Sequence, residues 1–164
     1  MKKMFLLNAL IAITLALSTV FAVVPPQPAQ AATTLSAGDI AIIGINTDDP
    51  DAFAFVLLRD ITSGTEIKFT DNGWLASGSF RTGEGILTWS AAADMSAGTI
   101  VTPAPSPMVF STSGDQILAY QGADSSPTFI YGLNDEGTGW QSDATNSNTS
   151  ALPTGLTNGD TAVA

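Results

Sequence analysis

The sequence predicts an all-β fold, and three observations carry that prediction. After residue 31 the chain consists of short apolar runs separated by clusters of Gly, Asn, Asp, Ser and Pro, a pattern typical of strands and turns. No segment of this region has an apolar stripe at the helical period. The run from Glu66 to Thr70 alternates strictly, which places Ile67 and Phe69 on one face and Glu66 and Lys68 on the other. Many short strands at this spacing are typical of a sandwich or a barrel.

We expect eight strands in this region, each bounded by turn residues. The predicted strands span residues 39–45, 52–58, 66–70, 85–89, 99–101, 108–111, 116–121 and 128–131. In the second strand, Phe53, Phe55 and Leu57 share one face because side chains alternate along a strand. Residues 132–160 are rich in Gly, Asn, Ser, Thr and Asp, and they predict a long loop or a disordered segment. Residues 161–164 resemble the opening of a further strand, so we expect the chain to be a fragment of a longer protein.

The N-terminus predicts a secretory signal peptide over residues 1–31. A basic start at residues 2–3 precedes an apolar run over residues 4–24, which prolines then end. Ala29 and Ala31 supply the small residues of a signal peptidase site, so we expect cleavage after Ala31, with Ala22 as the second choice. The alternative is an uncleaved membrane anchor, because a run of this length could span a bilayer. Cleavage would place the protein outside the cytoplasm, secreted or at the cell surface.

The charge balance restricts the classes of partner. Residues 32–164 carry three basic side chains against fifteen acidic ones, a net charge of −12. Nucleic acids and anionic membrane surfaces need a basic face, which three scattered cations do not build. We therefore expect no nucleic-acid partner and no anionic membrane surface. The expected partners are an extracellular protein or a polysaccharide, together with neighbouring domains of a longer parent chain.

The stretch from Gly38 to Val101 resembles the lamin-tail-like domains of secreted bacterial proteins. The matching features are short, glycine-rich strand sequences, which lie at residues 38–40, 51–58, 64–74, 83–89, 96–99 and, further on, 114–120. The resemblance implies an immunoglobulin-like antiparallel β-sandwich over residues 38–131, one module among several in a larger extracellular protein, with no catalytic residues. Residues 32–37 would be a linker before this sandwich. Residues 132–164 would follow it as the polar loop and the start of the further strand.

The residue inventory argues against catalysis. The chain has no His and no Cys, so a Ser-His-Asp triad, a cysteine nucleophile and an ordinary zinc site are excluded. Two carboxylates suffice for a glycosidase, but no carboxylate pair stands in a conspicuous aromatic motif. We expect a non-catalytic extracellular binding or spacer module. Two alternatives stay open, namely an accessory fragment of a larger secreted hydrolase of the nuclease, phosphatase or esterase type, and a carbohydrate-binding module.

Two sets of residues are candidates for ligand binding. Asp48, Asp49 and Asp51 crowd the first inter-strand loop, and hard oxygen ligands in a flexible loop are what calcium takes. Their spacing does not match the twelve-residue calcium loop, so a solvated acidic turn is the alternative. No cofactor other than calcium is a candidate. Trp140, in the polar loop, and Trp74, just after a turn, are candidates for stacking on a sugar ring, and the alternative is that each packs onto its own domain.

Overall fold

The structure is a computed structural model that describes residues 30–137 and 139–164. In this part of the chain every regular element is a β-strand, so the predicted all-β class is confirmed. The strands are β1 (Ile40–Asn46), β2 (Ala52–Leu57), β3 (Glu66–Thr70), β4 (Ile86–Ser90), β5 (Ile100–Val101), β6 (Gln116–Ala123), β7 (Ser126–Asn134) and β8 (Ala162–Val163). Among these residues no helix has the length and apolar character needed to cross a membrane.

The strands form two sheets that pack face to face. One sheet has three strands in the order β1-β2-β5, and the other has five in the order β4-β3-β6-β7-β8. Neighbouring strands are antiparallel, except β7 and β8, which are parallel. Phe69 on β3 contacts both Phe53 and Phe55 on β2, with ring centroids 5.0 and 4.9 Å apart. These ring contacts join the two sheets into a β-sandwich.

Strict alternation places the core between the sheets. On β3 the side chains of Ile67 and Phe69 are buried, Glu66 is exposed and Lys68 is half-buried, as predicted. On β2 every second side chain is buried in the same way. The core also takes Ile40 and Ile42 from β1, Ile117 and Ala119 from β6, and Ile130 from β7.

The five-stranded sheet is covered on its other face as well. Leu118 and Tyr120 on β6 belong to a second apolar cluster, to which residues 139–164 contribute Ala151 and Leu156. Residues 135–137 and 139–160 contain no strand longer than an isolated bridge, as a loop would, yet residues 139–160 lie against the sheet through these buried side chains. Strand β7 also extends three residues beyond the predicted boundary at residue 131. A central strand that is buried on both faces reads as a continuous apolar run, which is the pattern of β6.

Two segments differ from the prediction. Residues 108–111 are predicted as a strand but form none, because the backbone N–H groups of residues 109–111 donate to carboxylates instead of a neighbouring strand. Residues 32–37 are predicted as a linker, but Leu35 is only 1% exposed and packs into the core. The N–H of Leu35 donates to Gln121 Oε1 at 2.8 Å. The sandwich therefore includes this N-terminal segment. Both the side chain and the backbone N–H of Leu35 anchor the segment to the sandwich.

Candidate functional site

Four acidic side chains come together at one end of the sandwich, and we call them the carboxyl cluster: Asp51, Asp71, Glu84 and Asp115. Asp71 directly follows β3 and Asp115 directly precedes β6. Because β3 and β6 are antiparallel neighbours, the end of one strand lies beside the start of the other. Asp51 directly precedes β2, and Glu84 lies two residues before β4. Electrostatic coupling links Asp71 to Asp51 and Glu84 to both Asp71 and Asp115.

Three of these carboxylates hold three consecutive backbone amides. The N–H of Val109 donates to Asp71 Oδ2 at 2.9 Å, and that of Phe110 donates to Asp51 Oδ2 at 2.8 Å. The N–H of Ser111 donates to Asp115 Oδ2 at 2.9 Å. Hydrogen bonds to ionised acceptors are stronger than neutral ones. The carboxylates thus replace the neighbouring strand that residues 108–111 lack.

Two buried oxygens in the same region have no hydrogen-bond partner in the described part of the chain. They are Glu84 Oε2 and Gln116 Oε1. The Gln116 side chain is fully buried, and its Nε2 donates to the backbone oxygens of Asp71 and Ser147. Unpaired buried oxygens are uncommon in proteins and costly. The region is therefore short of hydrogen-bond donors relative to acceptors.

Burial makes the carboxyl groups of Asp71, Glu84 and Asp115 hold their protons more tightly. Desolvation, reinforced by Asp71 and Asp115, raises the pKa of Glu84 to about 7, and Arg81 opposes the shift. Desolvation raises the pKa of Asp115 to about 6 despite the hydrogen bonds from Ser111 and Gln116. Desolvation also raises the pKa of Asp71 above its ordinary value, against the backbone hydrogen bonds that it accepts. The direction in all three cases follows from the cost of burying a charged carboxylate.

The structure separates the three residues of the candidate calcium loop. Asp48 and Asp49 are exposed, whereas the Asp51 carboxylate accepts the N–H of Phe110. Asn46 closes the turn, since its Nδ2 donates to the backbone oxygens of Asp48 and Pro50 at 3.0 and 2.9 Å. Across residues 30–137 and 139–164 no group of three or more Asp, Glu, His or Cys could hold a metal ion.

The two candidate tryptophans lie on the outer side of the five-stranded sheet. Trp74 is 7% exposed and meets Phe80 and Phe129 edge to face, with ring centroids 5.0 and 4.8 Å apart. Trp140 is partly buried and packs against the same cluster. Its Nε1 donates to Asn158 Oδ1 at 3.2 Å. Trp74 therefore offers almost no free ring surface, while Trp140 keeps a partly accessible one.

The predicted cleavage site lies at the edge of the described residues. Ala29 and Ala22 lie outside them, as does most of the predicted signal peptide. Ala31 is exposed, and its backbone oxygen accepts a hydrogen bond from Thr62 Oγ1 at 2.8 Å. This contact joins the chain immediately before the predicted cut to the sandwich.

The fold and this cluster define an all-β sandwich module in which buried carboxylates hold the module's own backbone. Comparison with protein-family models, curated proteins and solved structures finds no match to the chain.

The sequence places two members of the carboxyl cluster beside predicted strands, but the strand prediction alone does not bring them together. Asp71 and Asp115 each stand next to a predicted strand, within a turn. Their proximity depends on the pairing of β3 with β6, which joins residues about 50 positions apart, such as Lys68 and Tyr120. Local patterns do not encode such pairing, so the sequence left these two carboxylates unconnected.

Proposed function

We propose that the chain is a non-catalytic extracellular module, secreted or at the cell surface, that contacts other protein through the outer face of its three-stranded sheet. The proposal keeps the expected relation to lamin-tail-like, immunoglobulin-like sandwiches. It also treats the module as one part of a larger protein, in which it binds or spaces its neighbours. The character of the outer face supports it.

The outer face has no charged residue among those of β1, β2 and β5 that form it, and it is apolar except for the amide of Asn46. Its residues alternate with the buried ones of the same strands: Ala41, Ile43, Gly44, Asn46, Ala52, Ala54, Val56 and Ile100. Ala41, Val56 and Ile100 form a row across the three strands, since Val56 pairs with both neighbours. Ile43 is 51% exposed and Ile100 is 61% exposed. A sheet with one wet face normally carries polar residues on it, whereas strands apolar on both faces are typical of sheets covered on both sides.

The residue types on this face indicate the class of partner that it can bind. A face without charged or aromatic side chains has no group for stacking on a sugar ring and none for pairing with phosphates. It suits an uncharged protein surface, because apolar contact is the main favourable term that such a face can supply. The partner is therefore another protein domain, belonging to the same parent protein or to a second one.

The test uses the protein as its host produces it. A photo-crosslinking residue placed at Ile100 should join one defined protein segment, identified by mass spectrometry. The same residue at Val163, which is exposed on the other sheet, should not join that segment. The double substitution Ile43→Lys and Ile100→Lys should abolish binding of the partner protein to this face. The control substitution Val163→Lys, on the other sheet, should leave that binding unchanged.

Two results would count against the proposal. One is crosslinking at Ile100 that is no different from crosslinking at Val163 or that survives the double lysine substitution. The other is a polysaccharide that changes tryptophan fluorescence in the wild-type protein but not in Trp140→Ala, which would favour the carbohydrate-binding alternative. Thermal unfolding of each variant separates loss of contact from loss of fold.

A further inference from the structure

One carboxylate joins two segments that are distant in sequence. Asp71 Oδ1 accepts the N–H of Gly85 at 2.7 Å, and Asp71 Oδ2 accepts the N–H of Val109 at 2.9 Å. The two segments also touch directly, because a Cβ atom added at Gly85 would lie only 2.6 Å from the backbone oxygen of Pro107. Residues 83–86 and 107–110 are thus held against each other by the Asp71 bridge and by close backbone contact.

Glu84 lies beside this bridge with part of its carboxyl group buried and unpaired. Its Oε2 is buried and has no hydrogen-bond partner among the described residues. The charged groups that act on it are Asp71, which follows β3, Asp115, which precedes β6, and Arg81, on the β3–β4 loop. Residues 107–110 bring no titratable side chain. An ionised Glu84 is therefore a further negative charge in a desolvated space, opposed by Arg81 alone among these groups.

We propose that the contact between residues 83–86 and 107–110 is a proton-controlled latch, closed while Glu84 is protonated and opened when Glu84 ionises. In the closed latch the Asp71 carboxylate keeps both backbone hydrogen bonds. Ionisation places a like charge beside Asp71 and leaves a buried carboxylate oxygen without a donor, so separation of the segments relieves both costs.

Opening would enlarge a cleft that already exists between the two segments. The cleft has a volume of about 580 Å³, and Asp71, Glu84, Ile86, Pro107 and Val109 are among its lining residues. Val109, one of these lining residues, is 73% exposed. The latch is distinct from the outer face of the three-stranded sheet, since it joins residues outside that sheet.

The sign of the pH dependence follows from the direction of the pKa shift. Burial, reinforced by the charge of Asp71, raises the pKa of Glu84 from 4.5 to about 7 in the closed form. A proton that binds more tightly in the closed form favours that form at low pH, and the preference is lost as the pH rises through about 7. With an ordinary pKa in the open form, linkage predicts that the open population grows about tenfold between pH 6 and pH 8.

Amide hydrogen exchange measured by NMR on the purified protein tests the proposal. Protection factors, which correct for the intrinsic pH dependence of exchange, should fall about tenfold from pH 6 to pH 8 at Gly85 and Val109. At both pH values they should stay well below the protection factor of Phe55 in the core, which exchanges only when the whole module unfolds. In Glu84→Gln, which cannot ionise, protection of Gly85 and Val109 should not change with pH. The matched control is Glu66→Gln, which changes an exposed residue on β3. This variant should behave like the wild type.

Three outcomes would overturn the proposal. The first is an equal fall in protection in Glu84→Gln and in the wild type. The second needs no variant: a carboxyl ¹³C titration of Glu84 with its midpoint at the ordinary value would show that the group is not held in the closed form. The third is protection at Gly85 and Val109 that does not change between pH 6 and pH 8 in the wild type.

Discussion

Asp71 and Val109, 38 residues apart in the chain, are joined by a 2.9 Å hydrogen bond from the backbone N–H of Val109 to the carboxylate of Asp71. The other oxygen of that carboxylate accepts the N–H of Gly85. One side chain therefore satisfies two backbone donors that no strand satisfies. Buried donors of this kind are expensive when left unpaired.

Substitution of Asp71 by Asn should destabilise the protein because an amide has only one acceptor oxygen. One of the two backbone donors, on Gly85 or Val109, would then face an NH₂ group. We expect Asp71→Asn to lower the free energy of unfolding by about 1 to 3 kcal/mol in a chemical denaturation experiment at pH 7. Asp160→Asn, at an exposed position, is the control and should change stability little. Equal stability of the two variants would contradict the bridging role.

The two faces of β3 should differ sharply in their sensitivity to substitution. Phe69 is fully buried and contacts two phenylalanines of the opposite sheet, so Phe69→Ala should cost roughly 3 to 5 kcal/mol. Lys68 makes a 2.6 Å ion pair with Asp124 at the surface, and such pairs contribute about 0 to 1 kcal/mol. Denaturant titration of both variants measures the difference, and similar losses would refute the face assignment.

The parts of the fold that depend on local pattern were predictable from sequence. The bounds of β3 agree with the prediction, β1 is shifted by one residue at both ends, and β2 ends one residue early, because alternation and turn residues define these strands locally. Residues 108–111 have the composition of a strand, but the backbone N–H groups of residues 109–111 donate to the side chains of Asp71, Asp51 and Asp115. No local pattern distinguishes a segment that pairs with a neighbouring strand from one whose backbone pairs with side chains.

The packing of the polar C-terminal region against the sheet was not predictable from sequence, for a related reason. Its composition is that of a loop, yet a few apolar side chains, including Leu156 and Trp140, are enough to cover one face of the five-stranded sheet. Thr149 Oγ1 accepts the N–H groups of Thr145 and Asn146, so the polar residues supply each other's hydrogen bonds. The carboxyl cluster was missed because its members meet only through long-range strand pairing.

Close packing at Gly73 should make this C-terminal cover sensitive to one methyl group. A Cβ atom at Gly73 would collide with the backbone oxygen of Thr149 and lie 3.0 Å from the Ala144 side chain. Gly73→Ala should therefore loosen residues 139–164 at a cost of about 1 to 3 kcal/mol and increase proteolysis within them. Gly44→Ala has open space around the added carbon and should leave proteolysis unchanged. Equal cleavage in both variants would contradict the packing.

The stability of the whole module should fall as the pH rises from about 4 to about 7. The pKa of Asp115 is raised from 3.8 to about 6, chiefly by burial, and that of Glu84 is raised to about 7. A group with a higher pKa in the folded state stabilises the fold fully below its unfolded pKa, and this contribution is lost as the pH rises through the folded value. Thermal unfolding at pH 4.5 should thus give a higher midpoint than at pH 7.5. A midpoint that rises with pH over this range would contradict the assigned shifts.

Calcium and magnesium should stabilise the protein to the same small extent. The chain has a net charge of −10, and a divalent ion relieves repulsion among carboxylates without a dedicated site. Asp48 and Asp49 are exposed, while Asp51 is engaged by the N–H of Phe110, so the loop is not arranged around a common centre. A true site would distinguish the ions, because calcium accepts irregular coordination and loses water more readily than magnesium does.

Thermal unfolding with each ion at matched ionic strength measures the effect in the wild type and in the double variant Asp48→Asn with Asp49→Asn. Asp51 stays unchanged in that variant so that the hydrogen bond to Phe110 is kept. A midpoint that calcium raises well above the magnesium value, with the difference abolished in the double variant, would instead establish a calcium site in this loop.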